Sequence, residues 1–415
     1  MVDRVSTYQV FSSGLSDLQR LNSRIDKVQE QISSGRKVVT PADDPVAASR
    51  VLELDATIAQ STQFNTNNDA ARSRLEQEET KLDAIEESVM RVRELATRAG
   101  NGSLTITERQ AIAAEIRQRS DEILALMNSR DSNGDYMFSG FSGNTEPFER
   151  LSGGGVQWNG DEGQRFLQIA TTTKVATSDS GKRLFVDVPA AEPSFLTRAN
   201  PINRGDGRIL EGVVIDQDKF QSELYPDDAI IVFNNPQDID PPSPNYTVVN
   251  KTTKKPIDGQ VNVPFAQARE IPFGGLQVQI IGEPSAGDTF VVETSNKQPL
   301  LASVDRLAHG LETLDDSAEQ SEALNNLIAN SLDNLENGLD RVTEVRAQVG
   351  ARLNVLETTK NTLEDLKLSA TAVRSELIDL DYAEAITRFS METFVLQASQ
   401  QTFAKVAGLS LFNYL

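Results

Sequence analysis

No cysteine occurs among the 415 residues, and histidine and tryptophan occur once each. Disulfides, thiolate nucleophiles, iron–sulfur clusters and cysteine-bound zinc are therefore excluded. So is any triad or metal site that needs two histidines. Lack of cysteine leaves the compartment open. Positive charge is also scarce, with 40 Lys+Arg against 61 Asp+Glu and a net charge of -21. That balance argues against sequence-independent nucleic-acid binding, which sets surplus Lys and Arg against phosphate. Long apolar runs are missing too. The longest cluster, Ala229-Ile230-Ile231-Val232-Phe233, is too short to span a membrane. Met1 to Thr7 shows no apolar h-region, so no cleavable secretory signal is expected, and export would need another route. Aromatic content is 6% and hydrophobic content 38%, low values for a chain long enough for two or three domains. They predict an elongated molecule with much surface per residue.

Proline is missing from particular places. Of the 16 prolines, Pro41 and Pro45 precede residue 147, the other 14 lie between Pro147 and Pro299, and none follows. Because proline breaks helix interiors, both outer segments are free to form long helices and the middle is not.

What is present in the outer segments is a seven-residue apolar repeat. Ile328, Leu335, Val342, Val349, Leu356, Leu363, Ala370 and Leu377 follow one another at intervals of seven. Leu332, Leu339 and Leu353 widen the stripe on one side, and Leu366, Val373 and Leu380 on the other. Such a repeat is a coiled-coil seam. It predicts one helix over about 320–380, ~90 Å long at 1.5 Å per residue. Helices buried in ordinary globules rarely run beyond about 25 residues. The N-terminal segment mirrors the pattern with Phe11, Leu18, Ile25 and Ile32, and Leu15, Leu21 and Val28 lie between them. Ser33-Ser34-Gly35 ends that helix, with glycine suited to the left-handed cap. Asp44-Pro45 starts the next, an N-cap carboxylate followed by proline at the first helical position. It is expected to run from Val46 to about Ala99, with Val51, Leu54, Ile58, Leu75, Leu82, Val89 and Ala96 inward and a polar patch over 60–68. Thr105-Ile106-Thr107-Glu108 reads as a capping box for a third helix that buries Ile112, Ile116, Ile123 and Met127.

Residues 146–299 change period. Short runs rich in β-branched residues, over 165–170, 183–188, 229–233, 276–281 and 289–293, are bounded by Gly, Pro, Asn and Asp. A last amphipathic helix is expected over about 383–407, with Tyr382, Phe389, Leu396 and Phe403 seven apart, Ile386 and Ala407 flanking them, and Gly408 as its stop. An apolar tail, 409–415, follows. The fold class is thus α+β, with long antiparallel coiled-coil arms from both chain ends and an inserted all-β domain. The expected divisions are a terminal coil (1–40 and 376–415), a helical bundle (41–145 and 300–375) and an outer β-domain (146–299). Four anchors per terminal helix, on one face only, do not offset the entropy of ordering such a helix. The termini should therefore order against each other and against neighbouring subunits.

Candidate chemistry is thin. Asp131-Ser132-Asn133-Gly134-Asp135 resembles the start of a calcium loop, but the sixth and twelfth positions are Tyr136 and Ser142, not glycine and glutamate. It reads as a helix-ending turn. His309 reads as a surface helix residue, Gly153-Gly154-Gly155 as a hairpin turn, and the sequons at Asn101, Asn245 and Asn250 as chance. No metal, cofactor or catalytic residue is assigned.

Several motifs then carry a resemblance. Leu21-Asn22-Ser23-Arg24 through Gln31-Ile32-Ser33-Ser34-Gly35-Arg36-Lys37-Val38 is similar to the N-terminal helix of flagellins. Thr40-Pro41-Ala42-Asp43-Asp44-Pro45-Val46-Ala47-Ala48-Ser49-Arg50, Arg130 through Gly140 and Trp158-Asn159-Gly160-Asp161-Glu162-Gly163 resemble the hook–filament junction branch of the flagellin superfamily. Ile271-Pro272-Phe273-Gly274-Gly275-Leu276 through Phe290 is similar to a stretch of hook-associated proteins, and Asp381-Tyr382-Ala383-Glu384 with Val395-Leu396-Gln397-Ala398 resembles the flagellin C-terminal helix. Residues 190–265 match no motif of the family. The resemblance implies a structural subunit of the extracellular bacterial flagellum, exported unfolded through the flagellar type III apparatus. Its implied partners are like subunits, the first hook-associated protein on the hook side, flagellin on the filament side and an export chaperone. Nucleic acid and membrane are not among them. The terminal coil would assemble through Phe11, Leu18, Ile25, Ile32, Tyr382, Phe389, Leu396 and Phe403. The chaperone would take Phe389, Phe394, Leu396 and Phe403. A filament flagellin, a cytoplasmic coiled-coil signalling module and an enzyme carried on a flagellin scaffold are the competing readings. The second leaves the β-insertion unexplained, and the third needs a catalytic cluster within 146–299.

Overall fold

The computed structural model describes residues 7–151 and 155–412. Its helices are α1 (Thr7–Ser34), α2 (Pro45–Ala99), α3 (Ile106–Met127), α4 (Gln217–Glu223), α5 (Leu300–Thr313), α6 (Ala318–Ile378) and α7 (Tyr382–Phe412). The strands, all between α3 and α5, are β1 (Phe148–Arg150), β2 (Val156–Trp158), β3 (Phe166–Gln168), β4 (Lys174–Ala176), β5 (Pro189–Ala199), β6 (Arg208–Ile209), β7 (Val213–Val214), β8 (Ala229–Phe233), β9 (Asn245–Asn250), β10 (Val263–Pro264), β11 (Glu270–Phe273), β12 (Leu276–Ile281) and β13 (Thr289–Lys297). Helical arms thus flank an inserted antiparallel β-region, as the proline distribution predicts. The chain divides into two compact units, residues 1–66 with 358–415 and residues 67–357.

Unit 67–357 holds two apolar cores. In the first, the α2 positions Leu75, Leu82 and Val89 meet α3 through Ile112, Ile116, Ile123 and Met127, and α6 through Leu335, Val342, Val349 and Leu356. All are buried, and the α6 residues are members of the seven-residue repeat. The pairing of α2 with α6 is antiparallel, because low numbers meet high ones. Arg346 on α6 reaches Glu79 (2.7 Å), Asp83 (2.8 Å) and Glu86 (2.6 Å), while Arg93 meets Glu336 at 2.8 Å. Spacings of four and three place the three carboxylates on one face of α2. The capping box forms as expected, with Thr105 and Glu108 satisfying each other's backbone N–H groups. Two residues of the α2 polar patch have a structural use: Asn67 and Asn68 donate to the Gln168 and Ile169 carbonyls (2.7 and 3.2 Å). Phe148, Ile169, Val175, Leu184 and Phe185, from the first part of the insertion, complete this core.

The second core lies in the rest of the insertion. A five-stranded antiparallel sheet of order β10-β9-β8-β13-β5 accompanies a smaller sheet, β11-β12-β6, with β7 also on β12. Strand β8 alternates buried and half-buried residues, as period two requires. Phe233, Phe265 and Phe290 meet edge to face within it. Gly274 and Gly275, at φ 49° and 75°, form the two-residue loop between β11 and β12, the hairpin geometry that needs positive φ at both positions.

Three expectations are corrected. Residues 183–188 are not a strand: 182–186 form a π-helical turn. Adjacent Leu184 and Phe185 are both buried in one core, and a strand would send them to opposite faces. His309 is not at the surface but 2% exposed, because α5 buries every residue from Leu300 to Leu311. Burial, with Arg117 and Arg306 nearby, lowers its pKa to about 4, so it is neutral at pH 7. Finally, α7 does not stop at Gly408 but continues to Phe412. A glycine in a helix interior costs about 1 kcal/mol against alanine and does not by itself end the helix. Gly153 and Gly154 lie outside the described residues, although β1 and β2 on either side pair antiparallel.

One carboxylate in this unit generates a pH prediction. Glu78 on α2 is 1% exposed and accepts from the Asp179 backbone N–H, while Asp179 takes two hydrogen bonds from Arg352. Burial, with the Asp179 charge adding to it, pushes Glu78 from 4.5 up to about 8. The folded protein therefore holds this proton more tightly than the unfolded chain, and Glu78 makes stability fall as pH rises between these values. Glu78→Gln keeps the shape and cannot charge. Its Tm should decline less than that of the parent protein between pH 5 and pH 8, measured by thermal unfolding at each pH.

Candidate assembly interface

The unit formed by residues 1–66 and 358–415 is built from α1, α7 and the adjoining ends of α2 and α6. Helices α1 and α7 run antiparallel. Near one end the rings of Phe11 and Phe403 lie 5.0 Å apart. Gly14, one turn on from Phe11, lets the Phe403 ring approach: a Cβ there would stand 2.9 Å from it. At the other end the two chain reversals meet. The Lys37 N–H donates to the Ile378 carbonyl (2.7 Å), and the Leu380 N–H to the Gly35 carbonyl (3.0 Å). Gln31 donates to the Lys37 carbonyl (2.6 Å), and Lys37 Nζ to the Glu376 carbonyl (3.0 Å).

The Asp43-Asp44-Pro45 stretch has a local role. Asp43 accepts from the Val39 and Thr40 N–H groups (3.1 and 2.8 Å) and pairs with Lys27 of α1 at 2.7 Å. The Lys27 hydrogen bond, with the two backbone donors, holds its carboxyl well below the usual carboxylate range. Asp44 then caps α2 by accepting from Val46 and Ala47 (3.1 and 2.9 Å). Asp381 does the same for α7, accepting from Ala383 and Glu384. One carboxylate thus fixes the turn onto α1, and the other two start helices.

None of the nine sequence-named assembly and chaperone residues reaches full burial. Leu18, Ile25, Ile32, Phe389, Leu396 and Phe403 are half-buried. Phe11, Tyr382 and Phe394 are exposed, Phe394 to 67%. The structure brings Phe11 to Phe403 and sets the Tyr382 hydroxyl against Gly35. It leaves Phe394 facing outward. Sequence reasoning did not single out Gly14, whose role depends on Phe403 far away in the chain, or Lys27 and Gln31, which depend on how the turn over 35–43 folds back on α1. Nor did it single out the outward Met391 and Leu368. Leu366 and Val373, read as part of the seam, are 48% and 40% exposed.

The imbalance is general. Among the described residues, twelve of the nineteen large exposed apolar side chains lie in this unit, although it is the smaller of the two. Neither apolar core includes a residue of it. Among the described residues no group of three His, Asp or Glu side chains is placed to hold a metal, and no helix is long and apolar enough to cross a membrane. A surface of this kind suits docking against other helices.

Comparisons with known proteins agree on the terminal regions. Family models for the bacterial flagellin N-terminal helical region and C-terminal helical region match residues 5–142 and 332–415, together more than half of the chain. The chain is 29% identical over 182 residues to flagellar hook-associated protein 3 of Salmonella typhimurium, covering 44% of this chain and 56% of that protein. It therefore spans little more than half the length of that relative. Among solved structures, flagellar hook associated protein-3 of Legionella pneumophila aligns with a TM-score of 0.53 at 27% identity, over 79% of this chain and 98% of that one. A second, described as the flagellar junction protein of the same species, aligns with a TM-score of 0.51 at 26% identity, over 79% and 99%.

Gly35 provides a local test. It sits at φ 69°, and a Cβ there would lie 2.9 Å from the Tyr382 hydroxyl. Gly35→Ala should cost about 1–2 kcal/mol in the left-handed region and push the two reversals apart. Amide exchange at Lys37 and Leu380 should accelerate. Gly102→Ala, where nothing lies within 4 Å, should leave those two amides unchanged.

Proposed function

This chain belongs to the bacterial flagellin family, and from that membership we propose that it is a structural subunit of the flagellum, joining hook to filament. The relatives named hook-associated protein 3 and junction protein favour this place over that of a filament subunit. The observation that carries the reading is the unburied apolar surface of α1 and α7, which gains its burial from neighbouring copies. At about 25 cal/mol per Å² of apolar area removed from water, contacts repeated around a ring of like subunits add up quickly. The terminal region, 1–40 and 376–415, is the assembly element, and Phe11, Leu18, Ile25, Ile32, Tyr382, Phe389, Leu396 and Phe403 are its seam. Like subunits flank it, with the first hook-associated protein on the hook side and flagellin on the filament side.

Export is unfolded, through the flagellar type III apparatus. Lack of cysteine supports that route, since no disulfide can lock the chain. Before export a chaperone covers α7 through Phe389, Phe394, Leu396 and Phe403, and exposure of Phe394 leaves an anchor available to it. No catalytic role is proposed.

Phe403→Asp tests the assembly role. The ring lies against Phe11 and Gly14, and an unpaired charge in a seam closed by assembly costs several kcal/mol. The variant should keep a folded unit 67–357 by circular dichroism, while cells carrying it lose motility and shed flagellin into the medium. Deleting the gene should give hooks without filaments. Normal swimming by the Phe403→Asp strain, or a parental filament count in the deletion, would sink the proposal.

A further inference from the structure

Asparagine is followed by glycine at Asn101-Gly102, Asn133-Gly134, Asn159-Gly160 and Asn337-Gly338. In this pair the main-chain nitrogen can attack the preceding side-chain amide, because glycine has no Cβ to crowd the approach. Whether it does so depends on what the fold leaves free.

Three of the four pairs are restrained. At Asn133 the attacking group is occupied, since the Gly134 N–H donates to the Asp131 carbonyl (3.0 Å). At Asn159 the leaving amide is held: Nδ2 donates to Glu149 (3.0 Å), and a Cβ at Gly160 would lie 2.5 Å from the Trp158 ring. Asn337 and Gly338 lie inside α6, where helical hydrogen bonds fix the backbone, and Asn337 Nδ2 donates to the Pro189 carbonyl (3.1 Å).

Asn101-Gly102 differs in each respect. It lies in the turn between α2 and α3, and Asn101, Gly102 and Ser103 are all exposed. Among the described residues neither the Gly102 N–H nor Asn101 Nδ2 has a hydrogen-bond partner. A Cβ at Gly102 would meet nothing within 4 Å. The side-chain carbonyl, by contrast, is engaged. Asn101 Oδ1 accepts from the Ser103 N–H (3.3 Å) and from the Ser103 hydroxyl (3.0 Å). Both donors sit on the oxygen that gains charge when Cγ is attacked. The Leu104 N–H closes the turn on the Asn101 carbonyl (3.1 Å), which keeps nucleophile and electrophile in one tight loop.

We infer that Asn101 is a self-modification site, converting to aspartate and isoaspartate with water as the only co-reactant and Ser103 promoting the first step. The Gly102 nitrogen gives its proton to hydroxide and bonds to Asn101 Cγ. The Cγ–Nδ2 bond breaks, and ammonia leaves with a proton taken from water, closing a cyclic imide. One water then opens the ring. Hydrolysis at Cγ gives aspartate, and hydrolysis at the main-chain carbonyl carbon gives isoaspartate. Overall one water enters and one ammonia leaves, with nothing oxidised or reduced. Either product places a new carboxylate in the turn ahead of the Thr105 cap, and isoaspartate also lengthens the main chain there by one carbon. Nothing in this inference depends on the assembly role.

The full chain, held at pH 8 over several days, is sampled by peptide mapping and mass spectrometry. Isoaspartate is counted separately by enzymatic carboxyl methylation with S-adenosylmethionine. Asn101 should convert at least tenfold faster than Asn133, Asn159 and Asn337. In urea, where the restraints are gone, the four rates should converge to within a few-fold. Ser103→Ala should slow the folded protein severalfold at Asn101, and Gly102→Ala at least tenfold. Conversion at Asn101 no faster than at the other three in the folded chain would overturn the inference. An equal lead of Asn101 in urea, or a parental rate in Ser103→Ala, would do the same. The comparison of the four sites needs no variant, so it decides even if a substitution disturbs the turn.

Discussion

The terminal helices carry apolar side chains that one chain does not bury. Phe11 and Phe403 touch, yet neither is enclosed, and Phe394, Met391 and Ile386 face outward from α7. In α1 and α7 the apolar side chains described as fully buried are Val28 and Ala385. A helix of this kind gains little from its own fold and much from neighbours. The constraint ties local structure to the proposed function, since the apolar surface that one chain leaves open is the one proposed to hold subunits together. Lack of cysteine suits the proposed export route, because no disulfide can lock the chain.

Unit 67–357 is built on the opposite principle. Its helical core is closed by α2, α3, α5 and α6, and its sheets have a core of their own. Several charges that enter these cores are matched: Asp305 takes Arg150 and Ser120, and Asp179 takes Arg352. Arg346 gathers three carboxylates of α2.

Much of this was legible in the sequence, for identifiable reasons. The seven-residue repeat from Ile328 to Ala370 is buried throughout, because a period close to the helical turn forces one face inward wherever a partner exists. Capping by Asp44 and by Thr105 with Glu108 was readable, because caps are local chemistry. Tertiary context decided the rest. His309 reads as a surface residue because a lone histidine on a helix, here between Ala308 and Gly310, carries no mark of α3 packed against that helix. Residues 183–188 looked like a strand because β-propensity does not register two adjacent side chains entering one core. Residues 190–265 carry no recognisable motif, and β5 and β8 draw register from distant β13 while β6 and β7 draw it from β12. Of the candidate interface, sequence gave the ring residues and their spacing. Gly14 emerges only when Phe403 from the far end of the chain lies beside it, and Lys27 and Gln31 only when the turn over 35–43 folds back on α1.

The central claim is that α1 and α7 gain their stability from assembly. Amide hydrogen exchange on the isolated protein, followed by mass spectrometry, tests it most directly. Peptides from 11–32 and 385–403 should exchange orders of magnitude faster than those from 75–95 and 335–356, and should become protected in the assembled flagellum. Equal protection of both sets in the free monomer would contradict the account.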